Sequence, residues 1–368
     1  MRKAKREKFL EFVGNRHEVR RILVVRNGLI GDTLFVTPVL ERLHGTFPQA
    51  ELDMATSDKS VSILKNHSSL NAVFAIPAKY SIARHARFFL SLRKFHYDIV
   101  VIQESNSHYV LMAKLTGGRF LVGFENKLDS FLDFSVGWEK GAHAVRAELE
   151  TVRSWTNDNL PVAMKLDVTE EEKNGSAYIL RTCGVRDFNR IVCIHPGVSV
   201  TRSQREWVPE YYSRLADMLI ENSGVEIVID GVEQDGPLVE SIIAGMKNRP
   251  VSILGKTGIR QFMGVLKLCK VLIGPDTGTS HLATAVGTPV VMLFGRSDPA
   301  DSGPFDPTGR SRLLHADMPC IGCIKMDPPP QQWNICKDIY PVVCMGKLTP
   351  ETVYNSVVEV LNLKGRSN

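Results

Sequence analysis

A small polar turn late in the chain has the residue types of a phosphate-binding site. In the segment KVLIGPDTGTSHLATAVG (270–287), the apolar residues before the turn predict a strand and those after it predict a helix. The first turn of a helix leaves backbone N–H groups unpaired and carries partial positive charge, which favours a phosphate oxygen. The candidate diphosphate-binding residues are Asp276, Thr277, Gly278, Thr279, Ser280 and His281. The alternative is structural: Asp276 caps the helix, the small residues pack the helix on the strand, and His281 simply packs.

A second candidate site is the loop HPGVSVTRSQREW (195–207), which follows a predicted strand. Its hydroxyl groups and arginines suit a pyrophosphate, because each guanidinium offers a fork of hydrogen-bond donors. Ser199, Arg202 and Arg205 are therefore candidate donor-binding residues. Arg205 is favoured because it lies nearest to Trp207. In the alternative interpretation, either arginine is simply exposed to solvent.

A third turn, RNGLIGDTLF (26–35), joins a strand to a helix near the start of the chain. Its glycines, Gly28 and Gly31, do not have the GxGxxG spacing of the dinucleotide fingerprint. Asp32 either caps the following helix or acts as a general base that takes the proton of an acceptor hydroxyl. Gly31 and Thr33 flank it and are the candidate acceptor-side residues.

Four of the seven cysteines are grouped near the end of the sequence. They are Cys320, Cys323, Cys336 and Cys344. This spacing predicts a structural zinc site with tetrahedral thiolate coordination. Four reduced thiols or a redox pair are the alternatives.

The predicted elements that carry these residues form two blocks of alternating strands and helices. The first block runs from RILVV (21–25) to YDIVVIQ (97–103), and the second begins at RIVCIHPG (190–197) and includes the phosphate-site turn. Between 120 and 165 the periodicity is weak. The alternation predicts an α/β protein with parallel sheets and crossover helices, arranged as two Rossmann-like domains. Because such sheets bind ligands beyond the carboxyl ends of their strands, we expect a ligand site in a cleft between the domains.

The composition is typical of a globular protein, since 43% of the 368 residues are hydrophobic and 23% are charged. No apolar run approaches the ~18 residues that a membrane-spanning helix needs. The basic N-terminus has no apolar segment or cleavage site of a secretion signal. The sequence therefore predicts a cytoplasmic protein.

The positive charge is concentrated in two segments. Residues 1–21 contain eight Lys or Arg against three acids, a balance of +5 that equals the net charge of the whole chain. Residues 79–97 contain five basic residues and no acid. This asymmetry argues against nucleic-acid binding and predicts a local contact with an anionic membrane or an acidic partner, with 79–97 as an amphipathic surface helix. An ordinary helix with a solvated basic face is the alternative.

Together these motifs resemble the heptosyltransferases, the glycosyltransferase family 9 enzymes of lipopolysaccharide core assembly. The resemblance extends over about residues 20–360. It is carried, in family order, by RNGLIGDTLFVTPVLERLHGTFPQAELD, by HPG with REWVPEYYSRLAD, and by GPDTGTSHLATAVGTPVVMLFGRSDP.

The resemblance implies a GT-B fold, in which two Rossmann-like domains with parallel sheets face a central cleft. Residues 1–170 would bind the acceptor, residues 171–350 would bind the nucleotide sugar, and a C-terminal helix in 351–368 would pack back on the N-terminal domain. The implied activity is an inverting, metal-independent transfer of a heptose from ADP-heptose to a lipopolysaccharide core acceptor. No cofactor is required for such a reaction, because side chains and a helix terminus stabilise the departing diphosphate.

The resemblance also implies roles for single residues. Asp32 matches the catalytic base, and residues 277–281 match the diphosphate turn. Arg205 stands where a lysine is common, and the two cations differ in geometry. Glu233 or Asp235 would match an acid near the nucleoside.

The implied partners are an ADP-sugar donor and a lipid-linked oligosaccharide acceptor. The enzyme would bind peripherally to the anionic inner face of the cytoplasmic membrane. Two alternatives stay open. One is a GT-B transferase or an epimerase that uses another nucleotide sugar, and the other is a non-catalytic nucleotide-binding protein.

Overall fold

The structure is a computed structural model that describes residues 2–79, 81–198, 204–326, 336 and 342–363. Contacts within the chain separate two compact units, Met1–Asp167 and Val168–Asn368. The predicted domain boundary at residue 170 lies next to this division.

The first unit is built on a parallel sheet, which has six strands in the described residues. The strands are β1 Arg21–Arg26, β2 Glu51–Ser57, β3 Ala72–Ile76, β4 Ile99–Ile102, β5 Phe120–Phe124 and β6 Phe134–Val136. They lie in the order β3-β2-β1-β4-β5-β6, with every neighbouring pair parallel. This is the Rossmann order, and its topological switch point lies between β1 and β4.

Helices cover this sheet and complete the core of the first unit. The α-helices are α1 Arg2–Gly14, α2 Ile30–Thr46, α3 Asp58–Val61, α4 Ile82–Ser91, α5 Ser107–Leu115 and α6 Ala144–Arg153. Short 3-10 helices lie at Arg16–Glu18, Ser62–Leu64, Leu92–Phe95 and Asp129–Phe131. The N-terminal helix α1 is anchored by Phe9, whose ring lies 5.5 Å from that of Phe134 and 5.2 Å from that of Trp155. These large aromatic contacts hold a strongly basic segment on the domain.

The second unit repeats the same architecture. Its strands are β7 Ile191–Ile194, β8 Glu226–Ile229, β9 Val251–Ser252, β10 Val271–Pro275, β11 Val290–Phe294 and β12 Arg312–His315. Their order is β12-β11-β10-β7-β8-β9, and all the neighbouring pairs are parallel. The switch point of this sheet lies between β7 and β10.

The helices of the second unit begin directly after the division. They are α7 Glu170–Cys183, α8 Pro209–Ser223, α9 Gly236–Ala244, α10 Ile259–Leu268, α11 Gly278–Ala285, α12 Pro299–Ser302, α13 Val343–Lys347 and α14 Pro350–Leu363. Short 3-10 helices lie at Glu233–Asp235 and Cys323–Lys325.

The position of α14 differs from the prediction that 351–368 packs back on the N-terminal domain. Its buried residues Val353, Val357 and Val360 belong to the core of the second unit, together with Trp207. Spacing of three and four residues places the valines on one face of the helix, and that face contacts α8 and the strands β10 to β12. Residues 364–368 of the predicted segment lie outside the described residues.

The predicted α/β class with two Rossmann-like domains is thus confirmed. The central strands β1, β4, β7 and β10 are almost wholly buried, as parallel strands covered on both faces must be. None of the helices in the described ranges is long and apolar enough to cross a membrane.

Candidate active site

Asp32 lies at the switch point of the first sheet, in the turn that follows β1. It is the third residue of α2, and its Oδ2 accepts a hydrogen bond from the backbone N–H of Leu29 at 2.9 Å. Asp32 is therefore not the N-cap that the structural alternative predicted, because Leu29 occupies that position three residues earlier. Its carboxylate still satisfies an unpaired N–H of the helix start. The side chain remains 43% exposed. Asp32 can thus stabilise the turn and still present an oxygen to an acceptor hydroxyl.

Position 28 requires a glycine because the side chain of Asp32 occupies the space that another side chain would need. A Cβ on Gly28 would lie 2.4 Å from the Cβ of Asp32. Of the predicted acceptor-side residues, Gly31 is half-buried and Thr33 is fully buried. The Oγ1 of Thr33 lies 3.3 Å from that of Thr56, so Thr33 packs α2 on β2.

Three charged residues near Asp32 were not identified from the sequence. They are Arg26, Glu104 and Glu148. Arg26 ends β1, Glu104 follows β4, and Glu148 comes from α6. Burial raises the pKa of Glu148 from its ordinary value near 4.5 to about 8, although the positive charge of Arg26 lowers it.

This raised pKa predicts a pH-dependent stability. Between pH 4.5 and 8 the folded protein retains a proton on Glu148 that the unfolded chain has released, so the stabilisation is complete below about pH 4.5. It is lost as the pH rises through about 8. The Glu148→Gln variant mimics the neutral carboxyl at every pH. Urea unfolding at pH 5 and pH 8 should therefore show wild type losing stability relative to the variant, by on the order of 2–4 kcal/mol. A constant difference between the two proteins would contradict the assigned charge state.

The predicted diphosphate turn lies at the switch point of the second sheet, between β10 and α11. Asp276 is buried, and its Oδ2 accepts a hydrogen bond from Nη1 of Arg205 at 2.8 Å. Its Oδ1 lies 3.4 Å from Nε2 of His281. Burial raises the pKa of Asp276, but the hydrogen bond and charge of His281 and the charge of Arg205 outweigh it and hold the pKa below its ordinary value. The structure thus brings Arg205, predicted from the loop at 195–207, together with Asp276 and His281 of the turn.

Asp276 is not the helix cap that the structural alternative expected. Thr277 occupies the N-cap position of α11, with an extended backbone and no capping bond from its side chain. Its Oγ1 is buried and has no hydrogen-bond partner among the described residues. Gly278 is the first residue of α11. The unpaired N–H groups of the helix and the Thr277 hydroxyl therefore lie together at its N-terminus.

The other hydroxyls of the turn have internal partners. Ser280 donates its Oγ hydrogen to the carbonyl of Pro275 at 2.7 Å. Oγ1 of Thr279 lies 3.3 Å from Nε2 of His195, whose Nδ1 lies 2.9 Å from Oδ2 of Asp230. His195, from the HPG segment, therefore connects the end of β7 to the turn after β10.

Only some of the remaining residues predicted to bind the donor lie within the described part of the chain. Ser199 and Arg202 lie outside the described residues. The carboxylate of Asp235 accepts a hydrogen bond from the N–H of Val232 at 3.0 Å and packs so closely on Gly197 that a Cβ there would lie 2.4 Å from its Oδ2. Glu233 is exposed. Of the two proposed nucleoside-binding acids, Glu233 is therefore the one whose carboxylate faces solvent.

The four C-terminal cysteines are free thiols, with Cys336 and Cys344 buried. Burial, together with the charge of Cys336, raises the pKa of Cys344 to about 11. Within the described ranges, no group of three or more His, Cys, Asp or Glu side chains is arranged to hold a metal ion. The zinc site stays a prediction from the spacing.

Similarity to known proteins is found over most of the chain. Residues 85–331 match glycosyltransferase family 9 (heptosyltransferase). Lipopolysaccharide heptosyltransferase 3 of Escherichia coli K12 is 24% identical over 285 residues, which cover 73% of this chain and 80% of that protein.

Two solved structures have a similar fold. The glycosyl transferase family 9 protein of Veillonella parvula superposes with a TM-score of 0.81 at 20% identity, covering 93% of this chain and 97% of that chain. The ADP-heptose LPS heptosyltransferase II of E. coli superposes with a TM-score of 0.75 at 19% identity, covering 94% of this chain and 99% of that one. Likeness at this level of identity shows the fold, and it confirms the predicted GT-B class.

The family match includes more than half of the chain and extends over residues of both units. It contains Arg205 and the complete turn from Asp276 to His281. The predicted resemblance is thereby confirmed, and so is the expectation of a glycosyltransferase: the chain belongs to glycosyltransferase family 9 (heptosyltransferase).

Proposed function

We propose that this enzyme transfers a heptose from ADP-heptose to a lipopolysaccharide core acceptor, with inversion and without a metal ion. The observation that carries the proposal is the match of residues 85–331 to the heptosyltransferase family. The names of the relatives support the substrates, since one is a lipopolysaccharide heptosyltransferase and another an ADP-heptose heptosyltransferase.

On the donor side, we assign the diphosphate to the N-terminus of α11. The first N–H groups of the helix and the Oγ1 of Thr277 supply donors without a partner of their own. Arg205 adds positive charge, and Asp276 holds its guanidinium at this turn through a 2.8 Å hydrogen bond. Preorganised donors of this kind stabilise the charge that develops on a leaving diphosphate. Ser199 and Arg202 would extend the same site, and Glu233 would bind a ribose hydroxyl.

On the acceptor side, we assign Asp32 as the general base, with Gly31 and Thr33 shaping its turn. The acceptor oxygen forms a bond to the anomeric carbon while the bond from that carbon to the diphosphate oxygen breaks. The hydroxyl proton passes to the Asp32 carboxylate, and the electron pair of the broken bond leaves with ADP. A single displacement of this kind inverts the anomeric configuration.

The proposal is tested by measuring sugar transfer from a panel of nucleotide sugars. ADP-heptose with a heptose-deficient lipopolysaccharide acceptor should give the highest kcat/KM. A higher rate with another nucleotide sugar would favour the alternative GT-B transferase or epimerase. Nucleotide binding without any turnover would favour the non-catalytic alternative. Turnover in the presence of EDTA would test the metal-independent reaction, and metal analysis of the purified protein would test the zinc proposed for the cysteine group.

We further propose that the enzyme acts in the cytoplasm, bound to the inner face of the cytoplasmic membrane through α1 and α4. On α4, Ile82 is 64% exposed and Leu90 is 47% exposed. Arg84 and Arg87 are exposed on the same helix. Apolar side chains beside basic ones suit the surface of an anionic bilayer.

Charge reversal tests this contact better than deletion of the N-terminus. Deletion of residues 1–18 would remove Phe9 and Phe12, which are buried in the domain core. The variant Arg84→Glu/Arg87→Glu should bind vesicles containing phosphatidylglycerol at least ~10-fold more weakly at low salt, at about 1 kcal/mol per charge near the surface. The difference should shrink in high salt.

A matched control carries the same charge change on the second unit. Lys247 and Arg249 are exposed, and Lys247→Glu/Arg249→Glu should bind these vesicles like wild type. Equal weakening of both variants would show a nonspecific effect of net charge and contradict a membrane contact through α4.

A further inference from the structure

A buried charged network lies behind Asp32 in the first unit. Its centre is Arg26, whose side chain is only 16% exposed. Nη1 of Arg26 lies 3.0 Å from Oε1 of Glu148 and donates a hydrogen bond to the backbone carbonyl of Gln103. Nη2 lies 3.6 Å from Oδ1 of Asp32. One guanidinium thus connects the end of β1, the end of β4, helix α6 and the turn that carries Asp32.

The charges of this network do not balance. Asp32, Glu104 and Glu148 all interact with Arg26; burial alone would lower its pKa, but their negative charges raise it above its ordinary value. Burial also raises the pKa of Glu104, although the charge of Arg26 lowers it. Because the pKa of Glu148 is about 8, its carboxyl is neutral at lower pH. The positive charge of Arg26 is then shared by the two remaining carboxylates, Asp32 and Glu104.

Three polar atoms of the network are buried without a hydrogen-bond partner among the described residues. They are Nε of Arg26, Oε2 of Glu148 and Oε1 of Gln103. Unsatisfied buried groups are costly, and native proteins keep few of them. An apolar residue at position 148 would avoid part of this cost. The cluster therefore has a composition that stability alone does not favour.

We propose that Arg26 is the positioning residue of Asp32, held in place by Glu148 and the Gln103 carbonyl. This inference rests on the proposed role of Asp32 as the base. Oδ2 of Asp32 is fixed by the Leu29 N–H, and Arg26 directs Oδ1 from the other side, so the carboxylate has two anchors.

A purely structural role for Arg26 predicts a different result. In that case its guanidinium only donates hydrogen bonds to the Glu148 carboxyl and the Gln103 carbonyl, and its loss would reduce stability without a selective loss of kcat. A positioning role and a structural role are distinguished by two variants that differ in charge, Arg26→Gln and Arg26→Lys. The readout is a change in kcat without a change in the KM for ADP-heptose, which a loss of stability alone does not produce.

The test compares Arg26→Gln and Arg26→Lys with wild type, using ADP-heptose and a heptose-deficient lipopolysaccharide. We expect Arg26→Gln to lower kcat by about 10- to 100-fold with the KM for ADP-heptose within about twofold, since a displaced base affects the chemical step. Arg26→Lys keeps the charge and should restore part of kcat. A kcat of Arg26→Gln near that of wild type, at a temperature where both proteins are folded, would overturn the inference.

The matched control is Arg42→Gln, on the same helix as Asp32. Arg42 is another buried arginine of the first unit, and its Nη1 contacts Oδ1 of Asp158 at 2.5 Å. Its loss should reduce stability to a similar degree and leave kcat near that of wild type. An equal loss of kcat in this control would assign the effect to general destabilisation.

A second readout keeps the inference separate from the proposed function. In protein labelled with ¹³C at the aspartate carboxyl carbons, the Asp32 signal is the one missing from Asp32→Asn. Its chemical shift at one fixed pH should change in Arg26→Gln and return toward the wild-type value in Arg26→Lys, whichever sugar nucleotide is used. If Asp32→Asn has normal turnover while this signal moves, the assigned base fails and the contact of Arg26 with Asp32 stands. If Asp32→Asn is inactive and the signal does not move, only the role of Arg26 fails.

Discussion

Replacement of Asp32 by asparagine is expected to lower kcat by ~10²- to 10⁴-fold and to leave the affinity for ADP-heptose nearly unchanged. Asparagine has the same shape, and its side-chain oxygen can still accept the hydrogen bond from the Leu29 N–H. The turn should therefore persist, while the negative charge that takes the acceptor proton in the proposed mechanism is lost. The predicted diphosphate turn belongs to the second unit and Asp32 to the first, so we expect donor affinity to change little.

The measurement pairs steady-state turnover with calorimetric titration of the donor analogue ADP. Asp133→Asn provides a matched control, because Asp133 also belongs to the first unit and its Oδ2 also accepts a backbone hydrogen bond, from Leu121 at 2.9 Å. It precedes β6, whereas Asp32 follows β1. This control should keep full activity. Wild-type turnover in Asp32→Asn would remove the residue from the role of base.

The parts of the fold that the sequence predicted are those with strong local patterns. The central strands β1, β4, β7 and β10 are covered on both faces, so each reads as a continuous apolar run. The region from 120 to 165 had weak periodicity, and it contains the short strand β6 and the half-exposed loops around it. Three residues are too few to show a period of two, so only the pairing of β6 with β5 defines it.

In the candidate site, too, the residues that the sequence predicted are those in local motifs. Asp32 and the turn after β10 could be predicted because each motif is contiguous, with the strand, turn and helix visible together. Glu148 could not be predicted, since it lies far along the chain from Arg26 and reaches it only through the packing of α6 on α2. The sequence also could not show that Asp276 holds Arg205, because burial and a contact between distant residues produce that ion pair.

The contact between Arg205 and Asp276 leads to the second large expected effect. Arg205→Gln should lower kcat/KM for ADP-heptose by ~10²- to 10³-fold, because a preorganised donor for the developing charge is lost. The change also leaves the buried Asp276 carboxylate with His281 as its remaining charged partner of the three, which is destabilising. Arg205→Lys keeps the charge and loses the forked geometry, so its activity should be intermediate.

A loss of stability is distinguished from a loss of catalysis by a control variant at an arginine that is as buried as Arg205. Arg260 is 14% exposed, as Arg205 is, and its Nη2 contacts Oε2 of Glu172 at 2.5 Å in the same unit. Arg260→Gln should lower the unfolding midpoint comparably and leave kcat/KM near wild type. If both variants lose activity in proportion to stability, the loss in Arg205→Gln is a folding effect. If only Arg205→Gln loses activity at a temperature where both are folded, its guanidinium acts on the departing diphosphate.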